Sequence, residues 1–139
     1  MYNEIIVNKR YKLNKDFIPK DMIEINEPTG DKLDSNYVNM LDKEAYQNFK
    51  LMQSAAEEEG LFIWIDSSFR TYLYQQEIFN ECVKEIGIKE ASVACAEPGT
   101  SEHQTGLAID IIFSRNGRMY LQQKESDPEI IWLMENSYL

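Results

Sequence analysis

Histidine is almost absent from this sequence, with one among 139 residues, and cysteine occurs only twice. Two cysteines allow at most one bridge, so no disulfide framework organises the fold. A chain of this length buries roughly two thirds of the surface its unfolded form exposes, and needs no such framework. Positive charge is scarce as well. Fourteen Lys and Arg against 24 Asp and Glu leave a net charge of −10. That balance argues against nucleic-acid binding, which depends on clustered cations, and it disfavours an anionic lipid surface. No apolar run approaches the ~18 residues that a membrane span needs. Residues 1–10 show no basic stretch followed by an apolar one, so no export signal is expected. Repeats, linkers and low-complexity segments are also lacking. What remains is an ordinary globular composition, 43% hydrophobic and 27% charged. One domain spanning 1–139 is expected.

Residues 1–40 alternate short apolar pieces with Lys, Asn, Asp and Pro, and read as an extended wrapping segment or edge strands; 31–38 reads as loop. From Asp42 the pattern becomes helical. Asp42 is a candidate N-cap, Ala45, Phe49, Met52 and Ala56 share one face, and Gly60 supplies a stop. Residues 61–65 are continuously apolar and β-prone, which predicts a buried strand. Thr71 caps a second predicted helix that runs to Ile86 with Phe79, Cys82, Val83 and Ile86 inward, and Gly87 ends it. A short helix follows over 88–97, stopped by Pro98 and Gly99. Cys82 and Cys95 flank Gly87, and two buried reduced thiols are expected, because free Cys packs as a small hydrophobe. Residues 107–113 predict a strand. Asn116-Gly117 predicts a type I′ hairpin leading to a further strand over 118–121. Asp127-Pro128 opens a last helix that is still running at Leu139. The class is α+β, a small antiparallel sheet with helices packed on it.

The sole histidine, His103, follows a Gly99-Thr100-Ser101 loop and precedes Gly106, a backbone-permissive turn, with Asp110 seven positions beyond it. An ionised Asp among Ile109, Ile111 and Ile112 is costly to bury without a partner. Strand alternation puts Ala108, Asp110 and Ile112 on one face, with small Ala108 leaving room beside the carboxylate. A cation resolves the cost in either of two ways. One is a metal shared with His103, for which imidazole nitrogen plus carboxylate oxygen suits zinc. The other is an ion pair to Arg70, Arg115 or Arg118.

Ser101-Glu102-His103-Gln104-Thr105-Gly106-Leu107-Ala108-Ile109-Asp110 resembles the Ser-x-His-x-x-Gly-x-Ala-x-Asp signature of the LAS zinc peptidases. It is most similar to the VanY-type D-alanyl-D-alanine carboxypeptidases. Ser67-Ser68-Phe69-Arg70-Thr71 with Gln75 resembles the family's Ser-Gly-Tyr-Arg-Ser…Gln segment, with Ser68 where Gly is more usual. Val7-Asn8-Lys9, Leu13 and 16–19 resemble its N-terminal wrapping stretch, and 132–136 its following helix. The resemblance implies a LAS or hedgehog-like peptidase fold, with 1–40 wrapping a core over 41–139. It implies zinc held by His103 and Asp110, a substrate carboxylate clamped by Arg70, and peptide polar groups held by Ser101 and Gln75. The implied substrate is a peptidoglycan stem peptide ending in D-Ala-D-Ala, and the implied place is outside the cytoplasmic membrane. The family's general-base Glu and second His ligand have no counterpart here, so no catalytic base is identified. Glu125, Glu129 and Glu135 are expected in a loop and on a solvated helix face. The chain therefore reads as a C-terminally truncated member with two of three zinc ligands. Its alternatives are an inactive peptide-binding domain or remnant, or an L,D-carboxypeptidase or endopeptidase of the same fold. A homo-oligomer formed through the surface uncovered by truncation is a further expectation.

Overall fold

The computed structural model describes residues 10–26, 38–120 and 123–136. Among these, β1 (Met22–Glu24) pairs antiparallel with β2 (Met40–Asp42), which leads directly into α1 (Lys43–Glu58). The second sheet joins β3 (Phe62–Ser67), β4 (Asp110–Arg115) and β5 (Arg118–Tyr120) in that order, antiparallel throughout. Between β3 and β4 lie α2 (Tyr72–Ile86), α3 (Ile88–Ala94) and a 3-10 turn at Glu102–Thr105; α4 (Pro128–Asn136) follows β5. This is the expected α+β class.

Local chemistry accounts for the elements. The Asp42 carboxylate accepts from the Ala45 N–H at 3.0 Å, which satisfies one of the free donors at the start of α1. Gly60, at φ +77°, ends that helix. Thr71 caps α2 in the same way, accepting from the Tyr74 N–H. Asn116 and Gly117 both take positive φ, as the type I′ turn requires. Phe49 and Ala56 of α1 meet Ile63, Ile65, Phe113 and Trp132 in the core, against the inner face of the sheet. Phe113 is fully buried there, and truncating such a side chain costs about 3–5 kcal/mol.

Residues 10–26 hold to the site-bearing loops. The Leu13 N–H donates to the Gly99 carbonyl, and the buried Gln104 amide donates to the carbonyls of Asn14 and Phe17. Gly106 has φ +75°, and a Cβ there would lie 2.9 Å from Pro19 Cγ, so only glycine lets the segment pass so close. The loop expected at 31–38 falls almost wholly outside the described residues, as do 121 and 137–139.

Several expectations change. The strand expected over 107–113 begins only at Asp110, because Asp110 faces Ser67, the last residue of β3, across a bulge at Asp66. Cys82 and Cys95 are joined rather than reduced: Gly87, at φ +83°, turns α3 back along α2 and brings the sulfurs together. The inner face of α2 is centred on Tyr74 and Gln75, whereas Ile86 is exposed, since the far half of α2 packs on α3 instead of the sheet. Glu129 is not solvated. It is buried and held by Arg115 through bonds of 2.9 and 2.8 Å, with Asp127 accepting from the same guanidinium at 3.2 Å. Arg115 also lies over the Tyr120 ring, 4.4 Å from its centre.

Candidate active site

The 3-10 turn is shaped by its own side chains. Ser101 Oγ accepts from the His103 N–H, and the Thr105 hydroxyl donates to the Glu102 carbonyl. The Arg70 N–H donates to the His103 carbonyl, which binds this turn to the segment after β3. The imidazole is then oriented from the same side: His103 Nδ1 lies 2.7 Å from the Ser68 carbonyl oxygen. A carbonyl can only accept, so Nδ1 carries the proton and Nε2 is left to face the cleft. Ser68 is itself fixed, its hydroxyl donating to Asn39 and accepting from the Met40 N–H.

Opposite the ring stands Asp110. Its Oδ1 is 3.4 Å from His103 Nε2. Its Oδ2 accepts from the Ser67 hydroxyl at 2.8 Å and from Arg70 Nη2 at 3.2 Å. Arg70 Nη2 also donates to Ser67 Oγ at 2.8 Å, and Nη1 to Gln75 Oε1 at 3.4 Å. Asp110 is not buried as expected: its side chain is 54% exposed at the mouth of the cleft. The cation it was expected to need is nevertheless present. His103 is the main reason its carboxyl is held down to about 2, against the opposing effect of partial burial; the Ser67 hydrogen bond and the charges of His103 and Arg70 add to the lowering.

Of the two readings of the Asp110 partner, the ion pair is present on one carboxylate oxygen, and the other oxygen faces His103. Of the three candidate arginines, Arg70 takes Oδ2. Oδ1 and Nε2 remain turned toward each other. In the neutral ring these are two lone pairs, and only a proton or a metal cation between them makes the arrangement favourable. Two ligands bound to one tetrahedral zinc stand about 3.3 Å apart, and the observed separation fits. No group of three His, Cys, Asp or Glu residues is placed to hold a metal among the described residues. The donor set present is two.

Arg70, Gln75, Ser101, His103 and Asp110, all singled out from sequence, line one cleft of about 610 Å³. Ile78, Val93, Ala94 and Ala96 give it an apolar wall, and Glu102 lies at the turn. Sequence reasoning missed Ser67 as the bridge between Arg70 and Asp110, and the Ser68 carbonyl as the group that orients His103. A clue to the first was available. In β3 the buried stripe Ile63, Ile65 continues onto Ser67, and a hydroxyl in an apolar stripe needs a partner. Nothing in sequence marks a backbone carbonyl.

Residues 38–138 match the family model described as VanY: D-alanyl-D-alanine carboxypeptidase. The chain belongs to the VanY family. Over 135 residues it is 35% identical to "Putative carboxypeptidase YodJ" of Bacillus subtilis, covering 96% of this chain and 48% of that protein. The LdcB LD-carboxypeptidase, whose structure was solved for the basis of its peptidoglycan recognition, superposes with a TM-score of 0.79. It shares 34% identity over 95% of this chain and 61% of its own. A vancomycin resistance D,D-pentapeptidase VanY in complex with Zn(II) has a TM-score of 0.65, 30% identity, and coverage of 96% and 71%. The chain therefore spans about half the length of the YodJ relative. No helix among the described residues is long and apolar enough to cross a membrane.

Proposed function

We propose that this chain carries the metal-holding and carboxylate-binding part of a zinc-dependent D-alanyl-D-alanine carboxypeptidase. Its substrate is a peptidoglycan stem peptide, outside the cytoplasmic membrane. The observation that carries this reading is the pair His103 Nε2 and Asp110 Oδ1, facing each other at 3.4 Å with the other ring nitrogen held from behind by the Ser68 carbonyl. His103 and Asp110 would hold the zinc, which when bound polarises a carbonyl and lowers the pKa of its water.

The remaining residues bind and orient. Arg70 is only 16% exposed; among the described residues its buried Nε has no partner and Nη1 has only the long contact to Gln75. A terminal carboxylate entering the cleft would take the Nη1 donors through charge-assisted hydrogen bonds, which a guanidinium forms well. Gln75 and Ser101 stand beside it. Ser67 keeps Arg70 and Asp110 in fixed relation, so the substrate's anionic end and the metal site share one frame. No general base is assigned.

Purified protein supplied with zinc is expected to release D-Ala from a stem peptide ending in D-Ala-D-Ala, and Arg70→Ala to abolish release. Peptide binding by calorimetry without release at any zinc concentration would favour a second reading, a peptide-binding domain without turnover. That reading draws support from the two-residue donor set. Release only from a tetrapeptide with an L,D bond would move the specificity toward that of LdcB.

A further inference from the structure

The disulfide is the feature that the proposed function leaves unused. We infer that the Cys82–Cys95 bond positions Arg70 for a substrate carboxylate, by holding the Ala96 carbonyl against Gln75. The inference rests on the proposed role of Arg70. α3 has little else to hold it in place. Only Ala91 of its seven residues is buried, and Ile88 and Val93 are 62% and 86% exposed. Gly87, which joins α3 to α2, has nothing within 4 Å of where a Cβ would sit. An element with so few buried contacts opens easily. The bond to Cys82 ties it across a sequence separation of 13.

The residue after Cys95 links this tie to the cleft. The Ala96 carbonyl accepts from Gln75 Nε2 at 2.9 Å. Gln75 is 2% exposed, so its amide has no water to turn to, and its Oε1 accepts from Arg70 Nη1. With the Ala96 carbonyl in place, the amide orientation is set: NH₂ toward Ala96, oxygen toward Arg70. Without it, the amide is free to rotate and present its donor to the guanidinium. Gln75, Ala96 and Cys95 all line the cleft with Arg70. Cys82 and Cys95 are therefore positioning residues acting through Gln75.

A dithiol reductant tests this. It delivers two electrons and two protons to the bond, leaving two cysteine thiols and its own sulfurs joined as a disulfide. The measurement is calorimetric binding of an acylated D-Ala-D-Ala peptide and of its C-terminal amide, with the protein oxidised and reduced, alongside far-UV circular dichroism. Oxidised protein should prefer the free acid roughly tenfold or more, as a charge-assisted contact allows. Reduction should cut that preference about threefold or more, chiefly by weakening the acid, and reoxidation should restore it. Cys82→Ser/Cys95→Ser should behave as the reduced protein. Equal weakening of acid and amide would overturn the inference, since a merely structural bond predicts that, and so would unfolding on reduction. An unchanged preference would overturn it while leaving the role of Arg70 intact. No preference in the oxidised protein would remove the role of Arg70 and the inference with it.

Discussion

Ser67→Ala isolates the hydroxyl that bridges the arginine and the acid. Ser67 is 2% exposed, donates to Asp110 Oδ2 at 2.8 Å and accepts from Arg70 Nη2 at 2.8 Å. The substitution removes both bonds at little cost in volume. A net hydrogen bond contributes about 1 kcal/mol, more where a partner is charged. Arg70 keeps its direct 3.2 Å contact to Asp110, which limits the loss at the carboxylate to about 1–2 kcal/mol. Ser67 touches no metal in the proposed site, so its effect passes through the orientation and charge of Asp110. Groups that orient a ligand typically matter by about 10–100-fold in metal affinity. The bond still remaining puts Ser67→Ala at the low end, about tenfold weaker for zinc. Competition against a zinc-binding dye at pH 7 reads this directly, with a thermal melt to show that the variant folds. Zinc affinity within twofold of the parent would refute the claim that Asp110 is a ligand held by Ser67.

Other consequences concern pH and packing. Folding lowers the Asp110 carboxyl from 3.8 to about 2. Its stabilising contribution is therefore present above about pH 4 and lost as pH falls toward 2; half in water, it is worth less than about 1 kcal/mol. Asp110→Asn should flatten that part of the acid limb in melts taken between pH 2 and 5, and an unaltered limb would contradict the assignment. Gly106→Ala combines positive φ with a contact onto Pro19 and should cost about 2–3 kcal/mol. Gly60→Ala, with open space around it, should cost only about 1 kcal/mol; equal denaturant midpoints would show that the wrapping segment does not press on the 3-10 turn. Arg115→Met strands the buried carboxylate of Glu129, while Asp127 keeps its bond from the Lys124 N–H, and should lower Tm by on the order of 10 °C. Arg115→Met/Glu129→Leu should recover part of that drop.

Sequence reasoning reached elements whose cause is local. The caps at Asp42 and Thr71, the stop at Gly60 and the turn at Asn116-Gly117 each depend on a residue's own chemistry, and each was legible. The residues gathered in the cleft were legible through the motif around His103 and Asp110 and the segment around Arg70. What escaped depends on distant partners. The late start of β4 follows from the bulge opposite Ser67, and the burial of Glu129 from Arg115 on a neighbouring strand. The union of Cys82 and Cys95 follows from the way α3 folds back. No spacing rule reports these, because helix periodicity cannot say which face meets a sheet and which meets another helix. The expected burial of Asp110 failed for the same reason: three flanking isoleucines say nothing about an open strand end.

Because the chain has one histidine, a zinc titration followed by the imidazole nitrogen shifts gives a spectrum with a single ring to interpret. With the ring's Nδ1 proton held by the Ser68 carbonyl, one equivalent of zinc should shift Nε2 strongly while Nδ1 remains protonated, and Asp110→Ala should weaken that response. Zinc that leaves both nitrogens unmoved, or that coordinates through Nδ1, would contradict the site.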